Sequence, residues 1–196
     1  MRNILPHQGE AFYYPSFFKE ITADGLFDDL LANIEWQRDV VVIFGKRITT
    51  KRKTAWYGVN PYVYTYSGVS KVALPYSETL NRIRREIHHK TGINFNSCLL
   101  NYYAEGSESM GWHTDNERSL MPEMPIASLS LGASRKFSFK NKSSKQRIDL
   151  QLEHGSLLMM NPPTQEYWLH SLPKTKKAPN PRINLTFRMM KEESIQ

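Results

Sequence analysis

The sequence predicts a mainly β protein with flanking helices, an α+β chain whose strands close into a sandwich or barrel. Three observations carry this expectation. Beyond Gly92 the apolar residues recur at every second position, the period of half-buried strands. Before it, two segments place apolar residues at helical spacing. A chain of 196 residues fills one domain with a full core and is marginal for two.

Leu26, Phe27, Leu30, Leu31 and Ile34 form the first helical stripe over residues 23–34, with Thr22 as its N-cap. The second helix runs from Ser77 to about Lys90 on Leu80, Ile83 and Ile87, and Gly92 fits the position just past its end. His88 and His89 fall late in it, where cations suit the dipole, and read as surface residues rather than ligands. Residues 127–131, 135–140 and 147–152 then alternate polar with apolar, as does the stretch 182–190. Residues 157–160 are apolar throughout and read as a strand buried on both faces. Short strands divided by Gly, Pro, Asn and Ser turns are what a closed all-β core is made from.

Composition narrows the function. The net charge of +7 favours a polyanionic partner. Lys46, Arg47, Lys51, Arg52 and Lys53 crowd together, with Phe44 before them and Trp56 and Tyr57 after; Lys174, Lys176 and Lys177 form a second group. Such runs are either solvated loops or phosphate contacts, which position a duplex without reading its sequence. No run of eighteen apolar residues exists, so no membrane partner is expected. The N-terminus lacks the apolar stretch of a secretion signal, and the single cysteine, Cys98, beside Leu99 and Leu100, reads as a packed thiol in a reducing compartment. An intracellular location follows, in a bacterial cytoplasm or a eukaryotic nucleus, with a monomer as the expected state.

His113-Thr-Asp115 and the distal His170 carry the chemistry. Two imidazoles and one carboxylate are the ligand set of a non-haem iron(II) site with open coordination positions. Residues at i and i+2 of an extended segment share a face, so His113 and Asp115 can reach one ion while the third ligand comes from elsewhere. The same triad also suits a zinc hydrolase. His154 competes as third ligand, although His154-Gly155 reads as a turn.

The chain resembles the AlkB-type iron(II)/2-oxoglutarate dioxygenases that repair alkylated nucleic acid bases. The matching stretches are Asn101-Tyr-Tyr103, Gly111-Trp-His-Thr-Asp-Asn-Glu-Arg118, Pro125-Ile-Ala-Ser-Leu-Ser-Leu-Gly132, His154-Gly-Ser-Leu-Leu-Met-Met-Asn161, His170-Ser-Leu-Pro173 and Pro181-Arg-Ile-Asn-Leu-Thr-Phe-Arg188. Upstream, Ile43-Phe-Gly-Lys46 and Tyr64-Thr-Tyr-Ser-Gly68 look most like the branch preferring double-stranded DNA. The resemblance implies a double-stranded β-helix (jelly roll) core with an N-terminal nucleotide-recognition lid. We expect one domain over residues 1–196: an N-terminal segment and helix (1–35), the lid and its supporting helix (36–95), and the jelly roll (96–190).

It also implies iron(II), with 2-oxoglutarate and O2 as co-substrates, and His113, Asp115 and His170 as metal ligands. Arg182 is then the candidate grip on the distal carboxylate of 2-oxoglutarate, because a guanidinium matches a carboxylate with two parallel hydrogen bonds. Arg188, on the same strand face, lies by resemblance beside Asp115, with Asn184 between the arginines; Asn101 and Tyr103 supply further hydrogen bonds. A base inside a duplex must be extruded to react. By resemblance Tyr66 and the ring of His113 stack on it, Tyr64 hydrogen-bonds it, and Phe44 on a tip made by Gly45 fills the gap. Lys46, Arg47, Lys51, Arg52 and Lys53 would hold phosphates. One departure stands after H-x-D, where duplex-repair members often carry a second acidic residue and this chain has Asn116 before Glu117. If that position meets the exocyclic amine of the base, an amide can both donate and accept, which alters base preference. The implied reaction is oxidative demethylation of bases such as 1-methyladenine and 3-methylcytosine, releasing formaldehyde, in duplex DNA by preference; RNA or single strands are the alternative substrate, and a non-catalytic nucleic-acid reader the alternative role.

Overall fold

The computed structural model describes the backbone of residues 2–43, 46–66 and 69–192, and the side chains of the same residues except 39–43, 46–48, 64–66 and 69–71. In chain order the elements are β1 (Glu10–Tyr14), α1 (Glu20–Asn33), β2 (Gln37–Ile43), β3 (Lys46–Gly58), β4 (Val63–Tyr66), β5 (Val69–Val72) and β6 (Leu74–Pro75). There follow α2 (Glu78–Thr91), β7 (Ser97–Tyr103), β8 (Met110–His113), β9 (Ile126–Gly132), β10 (Arg135–Asn141) and β11 (Arg147–Leu152). The chain ends with β12 (Ser156–Asn161), α3 (Thr164–Tyr167), β13 (Trp168–Leu172) and β14 (Arg182–Arg188).

Two sheets form the core. The larger runs β1-β12-β9-β14-β7-β3-β2, with β6 beside β3, and the smaller runs β11-β10-β13-β8. From β7 to β14 the chain shuttles between them, which is the winding of a jelly roll. The β4–β5 hairpin stands apart as a two-stranded sheet.

Strand alternation gives the larger sheet two different faces. Ile183, Leu185 and Phe187 of β14, Cys98 and Leu100 of β7, and Ala127, Leu129 and Leu131 of β9 are buried in one apolar cluster. Leu26 and Leu30 of α1 and Leu80, Ile83 and Ile87 of α2 belong to the same cluster. Cys98 is wholly buried there, and burial raises its pKa, so the thiol stays protonated as packing. The opposite face looks into the sandwich. Phe137, Phe139, Leu158, Met160, Trp168 and Leu172 pack within that interior, and beside them lies a cavity lined by both apolar and polar side chains.

The second helix has the ends its sequence predicts. Ser77 accepts the amide proton of Leu80 at 3.2 Å, and Gly92 adopts φ 76°, the left-handed conformation a side chain disfavours. The first helix starts at Glu20 rather than Ala23, with Lys19 as its N-cap and no side-chain cap. Thr22 is therefore inside the helix. The Phe18 amide donates to Gly155 O at 2.9 Å, so tertiary anchoring of the preceding residues fixes where the helix can begin. Leu31 is 39% exposed and drops out of the buried stripe. Residues 1–35 also contribute a strand, β1, paired along β12.

Replacing Leu185 by alanine should cost about 2–5 kcal/mol in urea denaturation, the usual range for a buried leucine. Asn184→Ala, one residue away on the cavity face, should cost much less.

Candidate active site

The smaller sheet brings the two histidines together. In the antiparallel β8–β13 pair His113 lies opposite His170, and their ring centroids are 4.2 Å apart. Asp115 follows β8 and turns between them. Its Oδ1 is 3.9 Å from His113 Nε2 and its Oδ2 is 3.8 Å from His170 Nε2. Ligand atoms of the three residues all lie within 4.8 Å of one another.

Protonation suits a cation. His113 Nδ1 is 2.8 Å from Gly111 O, a group that only accepts, so Nδ1 carries a proton and Nε2 is the nitrogen on the Asp115 side. Burial pushes the His170 pKa down to about 3, against a raising effect of Asp115, so this ring is neutral. Burial alone would raise the Asp115 carboxyl, but the charge of Arg188, followed by the two histidines, outweighs it and holds the pKa below the usual range. Arg188 Nη2 donates to Asp115 Oδ1 at 2.7 Å. The Asp115 amide donates to Gln165 Oε1 at 3.0 Å, and Phe137 stacks on His170 at 5.5 Å. Two imidazoles and an ionised, oriented carboxylate fit a divalent first-row metal.

The same cavity, about 100 Å³, extends from the triad along β14, β7 and β9. Arg182, Asn184, Thr186 and Arg188 line it from β14, Asn101 and Tyr103 from β7, and Ser128 from β9. Arg182 is 2% exposed. Its Nη2 donates to Ser130 Oγ at 2.9 Å and to Asn184 Oδ1 at 2.8 Å, and its guanidinium carbon lies 5.6 Å from the Tyr103 ring centroid. Burial lowers its pKa to about 10, which leaves it cationic at neutral pH. Among the described residues no carboxylate pairs with it, and its Nε has no hydrogen-bond partner. Asn101 Oδ1 is likewise buried without a partner. A buried cation with a spare donor is a receptacle for a carboxylate, whereas the Asn101 oxygen can only accept from a donor.

The other expected residues divide. Phe44 and Gly45 lie outside the described residues, as do the side chains of Lys46, Arg47, Tyr64 and Tyr66. Lys51 and Lys53 are exposed, but Arg52, between them on β3, is buried and donates from Nη1 to Met110 Sδ at 3.1 Å. Alternation turns it inward, so Arg52 belongs to the cavity wall with Thr54 and Trp56 and not to the exposed basic surface. Glu117 lines the cavity with Oε1 3.6 Å from Arg188 Nη1. Asn116 is exposed, and its Oδ1 accepts from Thr114. His154 is no third ligand: it accepts from the Gly132 amide at 2.7 Å through Nδ1, with Nε2 3.2 Å from Asp24.

Ser128, Ser130, Thr54, Trp56 and Gln165 were not anticipated. The serines had a signal: they alternate with Ala127, Leu129 and Leu131, but alternation does not say whether the polar face meets water or a cavity. Gln165 had none, since only the docking of α3 brings it to Asp115.

The burial of His170 and the Arg188 charge beside Asp115 set a pH dependence for metal-free protein. Both pKa values are depressed on folding, from ordinary values of 6.5 and 3.8. The unfolded chain therefore binds more protons below about pH 6.5. Stability measured by urea denaturation should be highest above that pH and fall as the medium is acidified toward about pH 3, less steeply in His170→Gln.

Comparison with known proteins agrees with this arrangement. Residues 10–188 match the 2OG-Fe(II) oxygenase superfamily. DNA oxidative demethylase ALKBH2 of Mus musculus is 41% identical over 195 residues, covering 94% of this chain and 82% of that protein. The Homo sapiens ALKBH2 is 42% identical over 186 residues, covering 89% and 71%. Alpha-ketoglutarate-dependent dioxygenase alkB homolog 3 of Homo sapiens is 36% identical, covering 89% and 64%. The solved structure of OsALKBH1 superposes with a TM-score of 0.63 at 18% identity over 91% of this chain and 97% of that one, a likeness of fold. With the superfamily match running through every strand of both sheets, the chain belongs to the 2OG-Fe(II) oxygenases, in their AlkB-type family.

Proposed function

We propose that this chain demethylates alkylated DNA bases, with 1-methyladenine and 3-methylcytosine in duplex DNA as its substrates. As a family member it is an iron(II)- and 2-oxoglutarate-dependent dioxygenase. The observation that carries the reading is one cavity holding both the His113–Asp115–His170 cluster and the unpaired Arg182 guanidinium. The ALKBH2 relatives, named DNA oxidative demethylases, support the substrate. A zinc hydrolase would leave Arg182 without a task.

In this reading His113 Nε2, His170 Nε2 and an Asp115 oxygen hold the iron. When bound, iron supplies O2-dependent hydroxylation coupled to decarboxylation of 2-oxoglutarate to succinate. Arg182 binds the distal carboxylate of the co-substrate, and Asn101, Tyr103 and Asn184 furnish polar contacts along its length. Arg188 keeps Asp115 ionised and turned to the histidines. The extruded base stands on the His113 side, where that ring is 32% exposed, between it and Tyr66. Hydroxylation of the methyl carbon on a ring nitrogen gives a hemiaminal, which falls apart to formaldehyde and the unmodified base.

The lid comprises residues 36–95, supported by β3, which joins the larger sheet through β7. Phe44 acts as the wedge, Tyr64 hydrogen-bonds the base, Asn116 and Glu117 tune base preference, and Lys46, Arg47, Lys51 and Lys53 hold phosphates. The protein acts as a monomer where its DNA is, in a bacterial cytoplasm or a eukaryotic nucleus. No helix among the described residues is long and apolar enough to cross a membrane.

Purified protein with iron(II), 2-oxoglutarate and ascorbate should convert methylated duplex oligonucleotide to repaired base with one succinate per turnover. No turnover of any alkylated base defeats the proposal. Phe44→Ala should impair duplex repair more than single-strand repair; equal losses would favour the RNA or single-strand reading.

A further inference from the structure

One buried cation has no part in the site as described. Arg135 begins β10 and is 1% exposed, so burial lowers its pKa. No carboxylate pairs with it among the described residues. Its guanidinium instead donates to four backbone carbonyls: Glu105 O at 3.4 Å, Gly106 O at 3.3 Å, Glu108 O at 2.8 Å and Pro173 O at 3.0 Å. These belong to two different segments. Residues 105–108 connect β7 to β8, directly after Tyr103, and Pro173 follows β13, which carries His170. The same two segments are laced through Gly106, whose amide donates to Ala178 O at 2.7 Å and whose carbonyl accepts from the Thr175 amide at 2.9 Å. A Cβ at Gly106 would come within 2.3 Å of Thr175 O, so the segments meet without room for any side chain there.

Tyr103 connects this knot to the cavity. Its ring has the Arg182 guanidinium at 5.6 Å and the Arg135 guanidinium at 5.9 Å. Tyr103 also lies opposite Arg182 in the β7–β14 register. Arg135 does not line the cavity, whereas Tyr103 and Arg182 do. Three of these four bonds leave Nη2 and the fourth leaves Nη1, so a lysine, with one nitrogen, keeps part of the set and loses the reach to Glu105 O.

We propose that Arg135 is a positioning residue for the co-substrate: by tying the 105–108 turn to Pro173 it stands the Tyr103 ring against Arg182 and closes the cavity end that receives the distal carboxylate of 2-oxoglutarate. This rests on the reading of Arg182 as the carboxylate grip. Without Arg135 the carbonyls rehydrate, the turn loosens and Tyr103 leaves Arg182 open to water. The effect falls on keto acids that have a distal carboxylate and spares those that lack one.

The test is calorimetric titration of the full chain, with Mn(II) in place of iron, using 2-oxoglutarate and 2-oxopentanoate, which has the same carbon chain without the distal carboxylate. Arg135→Met should weaken 2-oxoglutarate about tenfold and leave 2-oxopentanoate unchanged. Arg135→Lys should show a smaller loss with the same selectivity, and with iron it should raise KM for 2-oxoglutarate while kcat holds. Should Arg135→Met fail to fold, the lysine variant decides alone. Equal loss for both keto acids, or no loss for either, overturns the proposal. Arg182→Met separates the two readings: if it binds 2-oxoglutarate normally, the carboxylate grip itself is wrong, whereas a selective loss there with none in the Arg135 variants sinks only the present inference.

Discussion

One buried ion pair, Arg188 to Asp115 at 2.7 Å, ties β14 of the larger sheet to the turn after β8 of the smaller one. Both side chains are about 5% exposed, so neither charge has water to fall back on. Removing Arg188 takes from the buried Asp115 its strongest compensating charge, a loss that typically costs about 3–5 kcal/mol. That cost locks the turn after β8 onto β14. It also keeps the carboxylate charged and aimed at the histidines. The pair is thus a condition both for closing the sandwich at this edge and for having a cation site at all.

The rest of the cavity is organised by a surplus of positive charge. Arg182 is buried beside Tyr103 with no acid near it among the described residues, and Arg135 lies 5.9 Å from the same ring. Burying guanidinium groups is unfavourable unless hydrogen bonds and an anion compensate. Here serine, asparagine and backbone oxygens provide the bonds. In the proposed function the distal carboxylate of 2-oxoglutarate is the anion for Arg182, which would complete an electrostatic arrangement that the folded chain leaves unfinished.

Residues that bond to their own neighbours in sequence were readable directly. Ser77 and Gly92 end a helix through contacts within one turn, and both are where the sequence puts them. The start of α1 was not, because it depends on Phe18 meeting Gly155 across the fold. Likewise the basic run at Lys51, Arg52 and Lys53 looks uniform in sequence, yet a strand must turn its middle member the other way.

The amino-acid order alone determined the alternation in β9 and β14, the helical stripes and the residue types of the candidate metal cluster, since each depends on local periodicity or on side-chain chemistry. It also carried the family resemblance. Tertiary structure alone decided that the polar faces of β9 and β14 enclose a cavity, that His113 lies opposite His170, that His154 spans to Asp24, and that Gln165 and Arg135 brace residues far along the chain. The reason is that a strand's period of two records which side chains share a face, whereas what that face meets is set by the neighbouring strand and the opposing sheet.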